Sequence, residues 1–326
     1  MDIEKNSAQF TDPLITATGE PRASVQLRAL DTLWFNTGTL CNLACESCYI
    51  ESSPVNDRLS YISLTEVQTF LDEVQQGNYG TQQIGLTGGE PFMNPDIIAI
   101  MAEILRRGFK LLLLTNAMRP MLKCKVGLLQ LQKLYGAQLC IRVSVDHYRQ
   151  DLHEEERGAK SWEPMLYGLS WLGKHGFTID VAGRRRWGDD EEDLRKGFAA
   201  LFEQQNLGID ADNTKQVLLF PEMNEQVAVP EITSACWSQL GINPNDLMCA
   251  SSRMVIRRRG DPAPVVVSCT LLPYDEQFTL GSTIAEASGT VQLNHHHCAN
   301  FCVLGGGSCS IDNARETSSV QTPSLG

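Results

Sequence analysis

Short apolar runs along this chain alternate with longer stretches in which apolar residues recur every three to four positions. These are the patterns of buried strands and amphipathic helices. Residues 33–36 read as a first strand. Ser63-Leu64-Thr65-Glu66 is a capping box, with Leu64, Val67, Leu71 and Val74 on the apolar face of its helix and Gly77 at the end. Residues 83–87 form a short strand. Asn94 and Pro95 then open a helix whose buried face is Ile97, Ile98, Met101, Ile104 and Leu105, stopped by Gly108. The unbroken apolar run at 110–115 fits a parallel strand covered on both faces. The alternation continues with a helix at 121–135, a strand at 138–145, a helix at 161–175, a strand at 177–181, a helix at 190–205 and a strand at 215–220.

Six strand–helix repeats predict a parallel sheet in the α/β class. Six units rather than eight predict a partial (β/α)6 TIM-like barrel over residues 30–222, with functional loops at the C-terminal strand ends. Residues 1–29 carry Pro13, Gly19 and Pro21 without a period and read as an N-terminal arm. Residues 223–247 read as a connector with a short helix near 234–240. From residue 248 the period shortens. Strands at 254–258 and 265–268, turned by Gly260-Asp261-Pro262, open a small cysteine-rich domain over 248–310. The Ser, Thr and Asn content of 311–326 predicts a flexible tail.

Composition narrows the function. The 326 residues carry a net charge of −12, which argues against a general nucleic-acid binder. The apolar run at 111–114 is far too short to cross a bilayer. The polar start, Met1 to Lys5, reads as no signal peptide, so a cytoplasmic location is expected. Eleven cysteines in a cytoplasmic chain are expected as metal ligands rather than disulfides.

Three of them, Cys41, Cys45 and Cys48, lie within eight residues in a C-x3-C-x2-C pattern. Thiolates this close can wrap one corner of a [4Fe–4S] cluster and leave the fourth iron open. A structural zinc site would need a fourth ligand nearby, and the next cysteine is Cys124. Gly88-Gly89-Glu90-Pro91 follows a strand, where glycines allow close backbone approach to a ligand. Together these stretches resemble the radical S-adenosylmethionine (radical SAM) superfamily. The resemblance implies that the open iron chelates S-adenosylmethionine. It also implies reductive cleavage to a 5′-deoxyadenosyl radical and hydrogen abstraction from an unactivated C–H bond.

The same resemblance implies cofactor contacts from Gly88, Gly89 and Glu90, from Asn116 and Ser144 at strand ends, and from Arg184 as partner of the cofactor carboxylate. Arg185 and Arg186 are alternatives to Arg184. Ser47 stands where the family usually has an aromatic residue facing adenine, with Tyr49 close by. The late cysteines, Cys249, Cys269, Cys298, Cys302 and Cys309, bracket the hairpin and resemble a twitch domain, the short form of a SPASM domain, with one auxiliary [4Fe–4S] cluster. Cys249, Cys269, Cys298 and Cys302 are the favoured ligands, and a zinc ribbon near His295, His296 and His297 is the alternative. Thr270 occupies the place where some relatives carry an acidic base, so no catalytic base is assigned. The expected substrate is a peptide or protein, with a small molecule such as a carbohydrate as the alternative and a flavodoxin- or ferredoxin-like donor as the electron source. A non-catalytic iron–sulfur electron carrier is the contrasting class.

Overall fold

The computed structural model describes residues 8–308; Cys309 and the tail expected at 311–326 lie outside them. Six strands, β1 (Thr32–Asn36), β2 (Gln83–Thr87), β3 (Lys110–Thr115), β4 (Leu139–Asp146), β5 (Thr178–Arg185) and β6 (Val217–Pro221), pair in parallel and in sequential order. Helices α1 (Leu64–Gly77), α2 (Ile97–Arg106), α3 (Lys125–Tyr135), α4 (Gln150–Arg157), α5 (Trp162–Lys174) and α6 (Glu191–Gln204) fill the crossovers. Strand alternation divides the side chains between two faces. Leu33, Phe35, Leu111 and Leu113 pack toward the helices, whereas Trp34 and Leu112 turn to the inner face. A Cβ on Gly85 of β2 would collide with the Trp34 ring, so the missing side chain makes room for the indole.

The sequence-derived elements are largely in place, with four differences. α1 has its full capping box, but the left-handed residue that ends it is Asn78, at φ 49°, instead of Gly77. Asn94 does not cap α2. Its side-chain amide donates to the carbonyls of Thr37 (3.1 Å) and Ile62 (2.9 Å), and α2 starts only at Ile97. The helix expected at 121–135 is broken at Cys124 into Arg119–Lys123 and α3. α4 has no apolar stripe and was not expected at all.

The hairpin of the C-terminal region joins the same sheet. β7 (Ser252–Ile256) pairs in parallel with β1, and β8 (Val265–Val267) and β9 (Thr279–Gly281) follow antiparallel, giving nine strands in the order β9-β8-β7-β1-β2-β3-β4-β5-β6. Met254, Ile256 and Val267 share the inner cluster with Trp34 and Leu112, which is why this hairpin is not set apart from the barrel wall. A second core collects Ala23, Val25, Val229, Ile232, Leu247, Leu271 and Phe301. The described part of the arm is fastened to it by the buried Arg22–Glu231 ion pair at 2.5 Å. No helix among the described residues is long and apolar enough to cross a membrane.

Candidate active site

The loop after β1 is held against the loop after β2 through the backbone. The Gly89 N–H donates to the Gly38 carbonyl (2.8 Å) and the Glu90 N–H to that of Leu40 (3.1 Å). Gly88 sits at φ 141°, and a Cβ there would lie 2.6 Å from the Gly38 oxygen. A Cβ on Gly89 would lie 2.7 Å from the Thr39 oxygen and closer still to that of Leu40. Both glycines are therefore required by the approach of the two loops.

That approach shapes a cavity of about 1000 Å³, measured out to its open mouth. Cys41, Cys45 and Cys48 line it together with Gly88, Gly89, Thr115, Asn116, Ser144, Asp146, Arg157 and Arg184. Phe220, Met223, Leu271 and Phe301 give it an apolar side. Five of the six cofactor residues expected from sequence line this one cavity. Glu90 does not. It is buried behind the wall, accepting from the Thr115 hydroxyl (2.8 Å) and the N–H groups of Asn116 (2.9 Å) and Phe92 (3.2 Å). Burial pushes its carboxyl up to about 7 against those three donors.

Each loop sulfur faces a donor. Cys41 Sγ receives the Leu43 N–H at 3.4 Å and the Asn116 amide at 3.9 Å, and Cys48 Sγ receives the Ser52 N–H at 3.3 Å. Arg157 Nη1 lies 4.0 Å from Cys45 Sγ. Burial pushes the Cys41 thiol up to about 12 and raises that of Cys45, so metal charge would have to draw off their protons. The set fits an anionic thiolate ligand group: three sulfurs on one loop, each with an N–H pointing at it, around an open cavity.

Behind them stands a charged network that the sequence pattern did not reveal. Asp146 ends β4 at φ 58°, where a bulge after Ser144 lets both residues reach the cavity. Its carboxylate takes Arg157 Nε at 2.5 Å and Arg184 Nε at 3.3 Å. Burial opposes its ionisation, yet the two guanidinium groups hold it below the ordinary aspartate value. Glu156, one residue before Arg157 on α4, accepts the Ser47 N–H at 3.1 Å and pairs with Arg186 and, at 3.6 Å, with Arg184. Arg186 also donates to Ser47 Oγ at 2.7 Å. Ser47 is thus used to tether the cysteine loop, and the ring that this loop brings to the cavity is Tyr49. The available signal for α4 was its charge: residues 149–157 hold six charged side chains with no Gly or Pro, a helix-compatible run between a strand and Gly158.

The late cysteines form a second group. Cys249 precedes β7, Cys269 follows β8, and Cys298 and Cys302 lie one turn apart on the helical segment Cys298–Leu304. Burial raises Cys249 to about 12 and Cys298 well above its ordinary value, and Cys269 acts on both. None of the four lines the cavity, but their neighbours Leu271 and Phe301 do. His297 is occupied by Glu225 at 3.2 Å and His296 by the Val227 carbonyl at 2.6 Å. Among the described residues no three His, Cys, Asp or Glu side chains converge on a single ion.

Comparison with known proteins agrees with this geometry. The family model described as the radical SAM superfamily matches residues 35–194. The subtilosin biosynthesis protein AlbA of Bacillus subtilis is 28% identical over 169 residues, covering 52% of this chain and 35% of AlbA. The AdoMet-dependent heme synthase of Methanosarcina barkeri is 28% identical over 147 residues, covering 43% of this chain and 38% of that protein. The chain therefore spans little more than a third of either relative. Among solved structures, Streptococcus suis SuiB bound to its precursor peptide SuiA superposes with a TM-score of 0.57 at 11% identity, over 78% of this chain and 63% of SuiB. At that identity the likeness is one of fold. By motif, sheet order and family match, residues 35–194 of this chain are a radical SAM superfamily domain.

Proposed function

We propose that the chain is a radical SAM enzyme, with a [4Fe–4S] cluster held by Cys41, Cys45 and Cys48 and S-adenosylmethionine in the adjoining cavity. Bound together, these groups supply reductive cleavage of the sulfonium and a 5′-deoxyadenosyl radical that takes a hydrogen atom from substrate. The observation that carries the reading is the convergence of the three loop thiols, Gly88, Gly89, Asn116, Ser144 and two arginines on one cavity. The chain's own groups divide the work. The Leu43 N–H at Cys41 and Arg157 at Cys45 oppose the burial that raises these two thiols. Arg157 and Arg184, both fixed by Asp146, present cationic edges suited to a carboxylate. Gly88 and Gly89 let backbone come within hydrogen-bond reach of a ligand. The apolar side of Phe220, Met223, Leu271 and Phe301 excludes water beside the place where a radical would act.

The proposal extends to a second, auxiliary [4Fe–4S] cluster on Cys249, Cys269, Cys298 and Cys302, with residues 248–310 as the region that builds it. Its substrate is proposed to be a peptide. AlbA is named for bacteriocin biosynthesis, SuiB is solved with a precursor peptide, and the apolar cavity side would accept an amino-acid side chain. Anaerobic reconstitution followed by iron analysis tests the metal assignment. Two four-iron clusters predict about 8 Fe per chain, and about 4 in a Cys41/Cys45/Cys48→Ala variant. Equal iron in both proteins would contradict the first site. Zinc in place of the remaining iron would contradict the second.

A further inference from the structure

Arg253, on β7, is fully buried. Four carbonyls take its N–H groups: Ala287 from Nε at 2.8 Å, Cys249 and Ser252 from Nη1 at 2.6 and 2.8 Å, and Gly289 from Nη2 at 2.9 Å. Among the described residues no carboxylate pairs with it. The other deeply buried arginines differ in this respect, Arg142 facing Asp180 at 3.5 Å and Arg22 facing Glu231 at 2.5 Å. Carbonyl dipoles solvate a guanidinium but leave its charge unbalanced, and an unbalanced buried charge is costly. The ionisable groups that bear on Arg253 are Cys249 and Cys269, which would balance its charge as thiolates. Its side chain also grips the Cys249 carbonyl directly, so charge and cysteine turn are locked together.

We infer that Arg253 is the counter-cation of the late cysteine site, and that it raises the reduction potential of an anionic iron–sulfur cluster bound there. The inference rests on the auxiliary cluster proposed above. Four thiolates around an iron–sulfur core leave the assembly net negative. Adding one electron increases that charge, so a fixed cation nearby stabilises the reduced state over the oxidised one. Burial keeps solvent from screening the effect. Arg253 is therefore a positioning and tuning residue. It lies outside the substrate cavity.

The test uses the full chain in the Cys41/Cys45/Cys48→Ala background, where the first site is removed and the late cysteine site is kept. The protein is reconstituted anaerobically with ferrous iron and sulfide and titrated with dithionite, with electron paramagnetic resonance reading the reduced cluster. Arg253→Gln is expected to lower the reduced-to-oxidised ratio at a set potential at least tenfold, about 59 mV for a one-electron couple. Arg253→Lys keeps the charge while losing carbonyl contacts, and is expected to titrate within about twofold of its parent, under 20 mV by the same relation. A Gln variant that titrates with its parent would overturn the inference and leave Arg253 a clasp for four carbonyls. Where the Gln variant does not fold, the Lys variant decides. Titration with the parent supports the role of charge, and a tenfold fall overturns it. A parent that takes up no iron overturns the auxiliary-cluster reading itself, a failure visible in the iron count before any potential is measured.

Discussion

A carboxyl group without exposed surface, yet with three hydrogen-bond donors around it, is under opposed pressures. At Glu90 burial outweighs the donors and raises the group from 4.5 to about 7. The folded chain then binds a proton more tightly than the unfolded chain, so stability falls as pH rises from about 4.5 to about 7 and levels off above. The shift corresponds to a loss on the order of 3 kcal/mol across that window. Urea unfolding of wild type at pH 5 and pH 8 should show this loss, and Glu90→Gln, which cannot ionise, should lose correspondingly less. An identical pH dependence in the two proteins would contradict the assignment. At this scale the sequence was informative where chemistry is tied to spacing. Cys41, Cys45, Cys48, Gly88, Gly89, Asn116, Ser144 and Arg184 all reach the cavity. Glu90 does not, because its side chain turns back into the wall to receive Thr115 and Asn116 while Gly88 and Gly89 line the cavity. Arg157 was missed because one arginine in a charged run carries no signal of what it will face.

Elements explain why those residues meet. The six parallel strands were legible from apolar runs, since a strand buried on both faces has few other ways to be written. α4 was not legible. Its buried residues are His153 and Glu156, which a hydrophobic period cannot detect, yet it delivers both Glu156 to the cysteine loop and Arg157 to the cavity. The hinge between elements is the contact of the two strand-end loops at Gly89. Gly89→Ala places a methyl group against the Thr39 and Leu40 carbonyls, which are backbone and can yield only by moving the cysteine loop. We expect a cost of about 1–3 kcal/mol in unfolding free energy, as for other overpacked sites. Reconstituted iron should fall by about four per chain, the content of one cubane. Normal iron uptake by this variant would show that the loop tolerates displacement and that the glycine serves the ligand alone.

At the scale of the whole molecule, the described residues are organised on a nine-stranded sheet, beside a two-stranded one, with three apolar clusters. A boundary drawn at residue 248 follows the change of period and the cysteine pattern, but β7 lies beside β1 in the same sheet, and Met254 and Ile256 pack with Trp34. No local pattern announces that pairing, because a strand's partner across more than two hundred residues is set by the shape of the whole. The late cysteines are carried on segments that also bring Leu271 and Phe301 to one side of the cavity. The proposed auxiliary-cluster site and the proposed radical site thus share a wall. The central claim is that this cavity cleaves S-adenosylmethionine at the Cys41, Cys45 and Cys48 site. The most direct measurement is anaerobic formation of 5′-deoxyadenosine, with dithionite as reductant, by wild type and by a Cys45→Ala variant. The account predicts steady product from wild type and none above background from the variant. Wild type that holds its full iron yet forms no 5′-deoxyadenosine would contradict it and leave an iron–sulfur electron carrier in its place.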